Sequence, residues 1–207
     1  GDPGEHLIDE TFDDAPSGAY GWSKRAAESL ALDDDVQRRM HVVVLRPSLV
    51  YGPHMKGNLY TMLESIRNRR FPPIPDVGNR RSMVHVDDVA AAAMLAAVSP
   101  QAQGRVFILT DGQAYSSRRI YVAMCSALGR EPPPWHVPAA VLRAAAVTGD
   151  FARAVGIHGW PLDSTAYRRL MGSAWYDSTR IRDELGWSSD RILEDALSAI
   201  RAEAAPR

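Results

Sequence analysis

The sequence has little that is typical of an extracellular, membrane-bound or nucleic-acid-binding protein. Its only cysteine is Cys125, so no disulfide can form within the chain, and a free thiol is typical of cytosolic proteins. The longest apolar run, residues 89–98, is too short to span a bilayer. A formal net charge of −1 argues against binding to nucleic acid or to a membrane surface. We therefore expect a cytoplasmic protein with neither nucleic acid nor membrane among its partners.

The first half of the chain alternates short apolar runs with helix signals. Buried parallel strands are predicted at residues 42–47, 82–86 and 105–110. Helices are predicted at residues 17–39, 58–69 and 88–98. Asp87 is placed to be the N-cap of the third helix. The opening stretch, "GDPGEHLIDETFDDAPSG", is polar and rich in turn residues, so it predicts a loop.

Helix signals dominate the second half. Helices are predicted at residues 116–129, 137–156, 177–186 and 191–204. A serine opens the first of them, Asp177 or Ser178 caps the third, and Gly186 closes the third. Strands that alternate with helices, followed by a run of helices, indicate an α/β protein with a helical C-terminal lobe.

Tyr20 and Lys24 stand four residues apart in "AYGWSKRAAESL", at the start of the first predicted helix. Residues at this spacing lie on one helix face. A nearby ammonium favours the phenolate form of a tyrosine, and phenolate can remove a proton from an alcohol or sugar hydroxyl. The same spacing arises by chance in many proteins. The pair alone therefore leaves two interpretations open, an acid/base pair or two side chains that merely share a helix face.

Three motifs follow one another along the chain: "YGWSKRAAE", "VVVLRPSLVYGP" and "RRSMVHVDDVAAA". In this order they resemble the extended short-chain dehydrogenase/reductase family of NAD-dependent nucleotide-sugar epimerases, dehydratases and 4-keto reductases. The sequence is similar to UDP-glucose 4-epimerases and to relatives in bacterial polysaccharide biosynthesis, and within the family it looks most like the latter. Two later stretches, "FILTDGQAYSSRRIYVAMCSALGR" and "RRLMGSAWYDSTRIRDELGW", extend the resemblance over nearly all of the chain.

The resemblance implies a fold and a domain organisation. We expect part of a Rossmann-type, doubly wound parallel sheet whose N-terminal strands are missing, with a mostly helical C-terminal substrate lobe. Residues 1–110 would form the later part of the Rossmann-like domain, with segments of the substrate lobe interleaved at about residues 53–85. Residues 111–207 would form mainly the substrate lobe.

The resemblance also implies the cofactor, NAD or NADP, and the residues that meet it. Tyr20 would be the catalytic acid/base and Lys24 its catalytic partner, and both would contact the cofactor. Pro47, Ser48 and Val50 would line the cofactor at the end of the second motif.

The substrate implied by the resemblance is a nucleotide-diphosphate sugar, UDP-linked in most members that look similar. Its binding residues would be Asn58, Tyr51, Arg81 and Arg169, with Arg81 on the diphosphate. Asn58 can instead cap its helix, and Arg169 can instead belong to an exposed helix face. His85, Asp87 and Asp88 lack a further histidine or cysteine partner, so no metal site is expected. A homodimer through the helix at residues 17–39 is a further expectation.

The function implied is hydride transfer at carbon 4 of the sugar, in a 4-epimerase or a 4-keto reductase. A dehydrogenase of steroid- or flavonoid-like alcohols on the same fold is one alternative. A non-catalytic binding module is another.

Two parts of such an enzyme are not found in the sequence. It contains neither G-x-G-x-x-G nor G-x-x-G-x-x-G, the turns that wrap the cofactor pyrophosphate at a helix N-terminus. Thr11 and Ser17 are the only hydroxyl residues before Tyr20, and neither is a convincing match to the family's catalytic Ser or Thr. We therefore expect the chain to be the C-terminal part of a longer enzyme and to be inactive alone.

Overall fold

The described part of the computed structural model comprises residues 6–12, 16, 18–53, 55–157 and 162–204, with side chains described as far as residue 198. Its strands are β1 (Leu7–Ile8), β2 (Val44–Pro47), β3 (Leu49–Tyr51), β4 (Met83–His85), β5 (Val106–Leu109) and β6 (Trp175–Tyr176). They pair two by two and in parallel, β1 with β6, β2 with β5 and β3 with β4. Parallel strands joined by helices confirm the predicted α/β class.

Helices make up much of the rest of the described chain. They are α1 (Gly18–Ala31), α2 (Asp34–Gln37), α3 (Asn58–Arg67), α4 (Val86–Val98), α5 (Ser117–Ala127), α6 (Ala139–Ala154), α7 (Ser164–Met171), α8 (Thr179–Leu185) and α9 (Leu193–Ala204). A short 3₁₀ turn, Pro100–Ala102, follows α4. Five of the helices come after β5, which agrees with the helical character predicted for the second half.

The chain changes its strand partner at Ser48, between β2, which pairs with β5, and β3, which pairs with β4. The amide of Ser48 donates to the carbonyl of Leu109, 3.0 Å away, at the end of the β2–β5 ladder. The next residue, Leu49, already pairs with Met83 of β4. The carboxyl end of β2 thus lies next to both β4 and β5, at the point where ligands of parallel α/β sheets collect.

Two buried apolar clusters hold the described residues together. One packs α4 and α8 against the β2–β5 ladder; its buried members are Val84, Ala92, Ala96, Ala102, Phe107, Leu109, Ile181 and Trp187. The larger one joins α3 to α5 and to parts of α6, α7 and α9, with Leu59, Leu63, Ile66, Ile120, Met124, Leu142, Met171 and Leu193 among its members. The predicted division at residue 110 stays a prediction.

The helix predicted over residues 17–39 is divided in two. α1 ends at Ala31, and Asp33 begins α2 by accepting a hydrogen bond from the amide of Asp35 at 2.9 Å. Aspartate competes with the helix for backbone amides and favours caps, so an acidic run in mid-helix starts a new helix.

The prediction of Asp87 as an N-cap is wrong by two residues. α4 begins at Val86, and His85 is the N-cap, with its Nδ1 accepting from the amide of Asp87 at 3.2 Å. Asp88 lies buried and pairs with Arg191, whose Nη1 is 2.6 Å from its carboxylate. These acidic residues therefore belong to the start of α4.

Other predicted helix ends are confirmed. Ser116 caps α5 through the amide of Arg119, and Gly186 closes α8 in the left-handed conformation with φ of 70°. Ser178 is the N-cap residue of α8 but makes no capping hydrogen bond with its side chain. The carboxylate of Asp177 accepts from the amide of Thr179 instead.

Four elements were not predicted, namely β1, β3, β6 and α7. β1 lies within the predicted opening loop, and it pairs with β6 over only two residues. β3 continues β2 after one residue, and α7 begins at the Asp163 cap. Elements this short carry too few residues for a periodic pattern.

Candidate active site and substrate cavity

Tyr20 and Lys24 lie together on the surface of α1. The Nζ atom of Lys24 is 5.6 Å from the centroid of the Tyr20 ring, and the Tyr20 side chain is 76% exposed. The helix begins at Gly18 and places the two residues one turn apart, so the predicted common face is present. A phenol beside an ammonium is a chemically competent acid/base pair.

α1 is joined to β2 by an ion pair. Arg46 donates from Nε to one carboxylate oxygen of Glu28 at 3.0 Å and from Nη2 to the other at 2.6 Å. The two side chains are only 27% and 12% exposed. No residue of α1 is buried. The two-point contact between Glu28 and Arg46 therefore contributes to holding the helix against β2.

The predicted cofactor residues lie at the end of β2. Pro47 is exposed, Val50 is 36% exposed, and Ser48 lies between them, half-buried. The Oγ atom of Ser48 is buried and has no hydrogen-bond partner within the described residues. A buried hydroxyl without a partner is unfavourable unless a ligand or water satisfies it. This end of the strand therefore fits a polar ligand group.

A cavity of about 190 Å³ gathers three of the four predicted substrate residues. Its lining is Leu49, Asn58, Leu59, Met62, Arg81, Ser117, Ile120, Ala166, Arg169 and Leu170. Asn58 starts α3, Arg81 precedes β4 and Arg169 lies in the last turn of α7. The cavity combines an apolar floor with an amide and two guanidinium groups, which is the composition of a site for an anionic ligand with an apolar part.

Arg81 is held in place by its backbone and its side chain. Its amide and carbonyl exchange hydrogen bonds of 2.9 Å with Tyr115. Its Nη1 donates to the carbonyls of Arg169 at 2.6 Å and Gly172 at 3.0 Å. These bonds orient the guanidinium at the cavity wall. Arginine presents its N–H donors in a rigid plane, which suits phosphate oxygens.

Two residues near Arg81, Asn79 and Ser117, were not predicted from the sequence as part of the site. The buried amide of Asn79 donates to Ser117 Oγ at 2.9 Å and to the Gly172 carbonyl at 3.1 Å, and its oxygen accepts from the Ser117 amide. Ser117 Oγ also donates to the carbonyl of Leu170. Asn79 therefore ties the loop before β4 to α5 and α7. Its signal in the sequence is only its position next to the two arginines of "GNRR".

The apolar floor of the cavity was also missed, although the sequence carried its signal. Leu59 and Met62 lie three residues apart on α3 and are buried, as are Leu63 and Ile66. This is the period of an amphipathic helix, and it identifies the buried face of α3. It does not show that part of this face borders a cavity.

Tyr51, the fourth predicted substrate residue, lies outside the cavity lining. It is 1% exposed, and its hydroxyl is 3.0 Å from both an oxygen of Asp111 and the carbonyl of Arg191. Tyr115 donates to the same oxygen of Asp111 at 2.7 Å and accepts from the amide of Leu193 at 3.1 Å. The structure thus gives Tyr51 a place in a buried polar cluster that joins β3 to the start of α9.

Burial governs the acidity of this cluster. It raises the pKa of the Asp111 carboxyl above its ordinary value, although hydrogen bonds from Tyr115, Gln113 and Tyr51 oppose that change. Burial also raises the pKa of the Tyr51 and Tyr115 phenols, and the nearby Asp111 adds to the effect. Both tyrosines stay protonated and act as structural donors.

The described residues contain no cluster of three or more His, Cys, Asp or Glu side chains that could hold a metal ion. His85 and Asp87 are engaged in capping α4. Within the same ranges, every helix is too short or too polar to cross a membrane.

Comparison with known proteins identifies relatives that cover most of the chain. The sequence model of the NAD dependent epimerase/dehydratase family matches residues 1–109. The chain is 26% identical over 184 residues to UDP-glucose 4-epimerase of Vibrio cholerae, covering 88% of this chain and 52% of that protein. It is also 26% identical, over 188 residues, to a 4-hydroxy-2-methyl-3-oxo-4-farnesyl-3,4-dihydroquinoline-1-oxide ketoreductase of Stigmatella aurantiaca, covering 90% and 56%.

A solved structure shows the same fold. The UDP-glucose 4-epimerase of Thermotoga maritima, determined with UDP-glucose, superposes with a TM-score of 0.70 at 20% identity. The superposition covers 98% of this chain and 58% of that one. The chain therefore spans about half the length of the relatives it matches.

Proposed function

Because the chain belongs to the NAD dependent epimerase/dehydratase family, we propose that it supplies the acid/base residue and the substrate site of a nucleotide-sugar 4-epimerase or 4-keto reductase. The observation that carries this proposal is the cavity that brings Asn58, Arg81 and Arg169 together from three separate segments. A site with this composition is what a sugar nucleotide requires, with cations for the diphosphate and apolar surface for the base.

Tyr20 is the proposed general acid/base. It would take the proton from the O4 hydroxyl of the sugar in the oxidative direction and return it in the reductive direction. Lys24 would favour the phenolate through its charge and would also hold the cofactor ribose. Epimerase and reductase need the same proton movement at O4, so these residues serve either reaction.

The nicotinamide end of NAD or NADP fits the residues present. Ser48 offers a buried hydroxyl without a partner in the described chain, and Pro47 and Val50 flank it at the strand end. When bound, the cofactor would supply the hydride acceptor and donor. The pyrophosphate end fits less well, because this sequence has no glycine-rich turn to receive it.

We propose that a longer protein completes the cofactor site. The chain spans about half of its curated relatives, and the 14 residues of α1 include none that is buried. Upstream residues would then contribute the pyrophosphate turn and the Ser or Thr that hydrogen-bonds the reacting hydroxyl. The 207 residues alone would be inactive.

The substrate of the site is proposed to be a UDP-linked sugar. Two arginines in a cavity of about 190 Å³ favour an anionic ligand over a neutral sterol or flavonoid. The similarity to a ketoreductase of a farnesylated quinoline keeps the dehydrogenase of apolar alcohols as the second candidate. That candidate predicts inhibition by an apolar alcohol and none by UDP.

The test is turnover by the full-length gene product with NAD and UDP-glucose, followed by chromatography of the UDP-sugars and absorbance of NADH. Tyr20→Phe is expected to reduce kcat by about 10²- to 10⁴-fold, the usual contribution of a positioned acid/base. Tyr60→Phe, which changes an exposed tyrosine of α3 outside the cavity, is the matched control. Full turnover by Tyr20→Phe would reject its role, and inhibition by sterols but not by UDP would favour the second candidate.

A further inference from the structure

Glu28 lies on the same face of α1 as Tyr20 and Lys24. The three residues are spaced at i, i+4 and i+8, and such residues stack along one side of a helix. Glu28 is about 12 Å further along the axis than Tyr20, at the rise of an α-helix. Any contact that fixes the direction of Glu28 therefore fixes the direction of the other two.

Arg46 provides that contact from β2. It is followed directly by Pro47 and Ser48, the residues proposed to meet the nicotinamide. Its planar guanidinium binds both oxygens of Glu28. A two-point contact of this kind fixes an orientation as well as a distance, which a single ion pair does not.

The surroundings of Glu28 and Arg46 indicate that their contact helps to set the rotation of α1. α1 has no buried residue, so apolar packing within the described chain does little to set its rotation. Neighbouring strand residues serve other purposes, since Val43 and Leu45 pack against the cluster on the α4 side of the sheet. Arg25 also approaches Glu28, with Nη1 3.5 Å from the carboxylate, at the length of a weak bond.

We propose that Glu28 and Arg46 are positioning residues that set the rotation of α1 and thereby aim Tyr20 and Lys24 at the carboxyl end of β2. This inference rests on the proposed function, because it assigns the pair a role through the acid/base residue. Neither residue touches the substrate. Their effect is on the chemical step, since a small misplacement of a catalytic group lowers the rate with little effect on substrate binding.

The experiment compares Glu28→Gln, Arg46→Lys and the charge-exchanged double variant Glu28→Arg/Arg46→Glu in the full-length protein. Each single variant is expected to lower kcat with UDP-glucose about tenfold, within the range known for misplaced catalytic groups, while KM stays within about twofold. The double variant is expected to recover most of the lost kcat. Arg46→Lys keeps the positive charge but cannot bind both oxygens of Glu28 at once. It therefore remains informative if Glu28→Gln fails to fold.

Glu184→Gln is the matched control. It removes a carboxylate that is 3.6 Å from Arg105 and 3.7 Å from Arg180 of the same helix, away from α1, and is expected to leave kcat unchanged. If the single Glu28 and Arg46 variants only lower the melting temperature and keep wild-type kcat, the pair is structural and the inference is wrong. Failure of the double variant to recover activity would also count against it.

A second readout does not depend on turnover. With 3-fluorotyrosine at position 20, the ¹⁹F chemical shift reports the surroundings of this ring at constant pH. A change in the rotation of α1 is expected to alter this chemical shift in both single variants and to restore it in the double variant. A wild-type protein that neither converts UDP-glucose nor binds NADH rejects the proposed function. An unchanged ¹⁹F chemical shift in the single variants rejects the positioning role.

Discussion

At the scale of single residues, the two neighbouring arginines of α7 offer a sharp test of the substrate cavity. Arg169 lines the cavity and Arg168 does not, although both are exposed and carry the same charge. Arg169→Gln is expected to weaken UDP binding by roughly 10- to 100-fold, as loss of a charged hydrogen bond of about 1.5–3 kcal/mol would. Arg168→Gln should change it little.

Isothermal titration of UDP into the full-length protein measures both variants. Equal losses of UDP affinity in the two variants would mean that only the net charge of α7 affects UDP binding. In that case Arg169 would return to the alternative interpretation, an exposed helix face. A salt series separates these outcomes further, because long-range attraction weakens with ionic strength more than a direct contact does.

Also at the residue scale, Asp111 makes the buried cluster sensitive to pH. Tyr51 carries one phenolic proton and faces two acceptors, the Asp111 carboxylate and the Arg191 carbonyl. A protonated Asp111 resolves this conflict, because its own proton can go to Tyr51 while Tyr51 donates to Arg191. Burial raises the pKa of Asp111 in the fold, so the neutral acid is the form that folding favours.

The stabilisation from neutral Asp111 is therefore complete below the ordinary pKa of an aspartate and is lost as pH rises through the raised value. Asp111→Asn keeps a donor toward Tyr51 and removes the titration. The melting temperature of Asp111→Asn relative to wild type is expected to rise between pH 4 and pH 7. A difference that stays constant or falls with pH would show that Asp111 is ionised in the folded protein.

At the scale of elements, Gly52 ends β3 in a conformation that side chains rarely adopt, with φ of 137°. A Cβ atom there would lie 2.7 Å from Val86 Cγ1 and 3.0 Å from His85 Nε2. Gly52→Ala is expected to lower the free energy of unfolding by about 1–3 kcal/mol, as an unfavourable backbone conformation does. The clash adds to that loss, because both neighbours belong to the start of α4.

The matched control for Gly52 is Gly78→Ala, since Gly78 has φ of 69° and open space around its Cβ position. Urea denaturation measures both. A loss for Gly52→Ala no larger than that for Gly78→Ala would mean that β3 and α4 separate without cost.

How much of these elements follows from the sequence depends on their length and on where their partners lie. α3, α5 and β5 carry periodic or continuous apolar patterns, so local residues suffice to predict them. β1 cannot be predicted in this way, because its two residues pair with β6 across most of the chain. The break at Asp33 was visible as an acidic cap signal, and His85 was not, because histidine is an uncommon N-cap.

The candidate site divides in the same way. The face shared by Tyr20 and Lys24 follows from spacing alone. The meeting of Asn58, Arg81 and Arg169 does not. It depends on the backbone bonds of Arg81 to Tyr115 and on the side-chain bond of Asn79 to the carbonyl of Gly172, and these join residues far apart in the sequence. Tyr51 belongs to a motif next to the site, yet its hydroxyl turns to Asp111, which only tertiary packing decides.

At the scale of the whole molecule, the cavity has its lining within the chain, whereas α1 leaves large apolar side chains exposed. The cavity is lined by residues of β3, α3, α5 and α7 and by Arg81 before β4, all within the chain. α1 instead exposes Trp22 at 62% and Leu30 at 72%, besides Tyr20. Apolar residues of this size on one helix predict a covering surface, which upstream residues or the predicted homodimer would provide.

This difference predicts that the 207 residues, prepared alone, bind UDP but not NADH. UDP is expected to bind the isolated chain with an affinity similar to that of the full-length protein, because its cavity is present. NADH is expected to bind only the full-length protein, because the sequence lacks the turn for the pyrophosphate. Titration calorimetry with UDP and NADH fluorescence, on both proteins, measure this. Micromolar NADH binding by the isolated chain would contradict the proposal that upstream residues complete the cofactor site, and loss of UDP binding would show that they also shape the cavity.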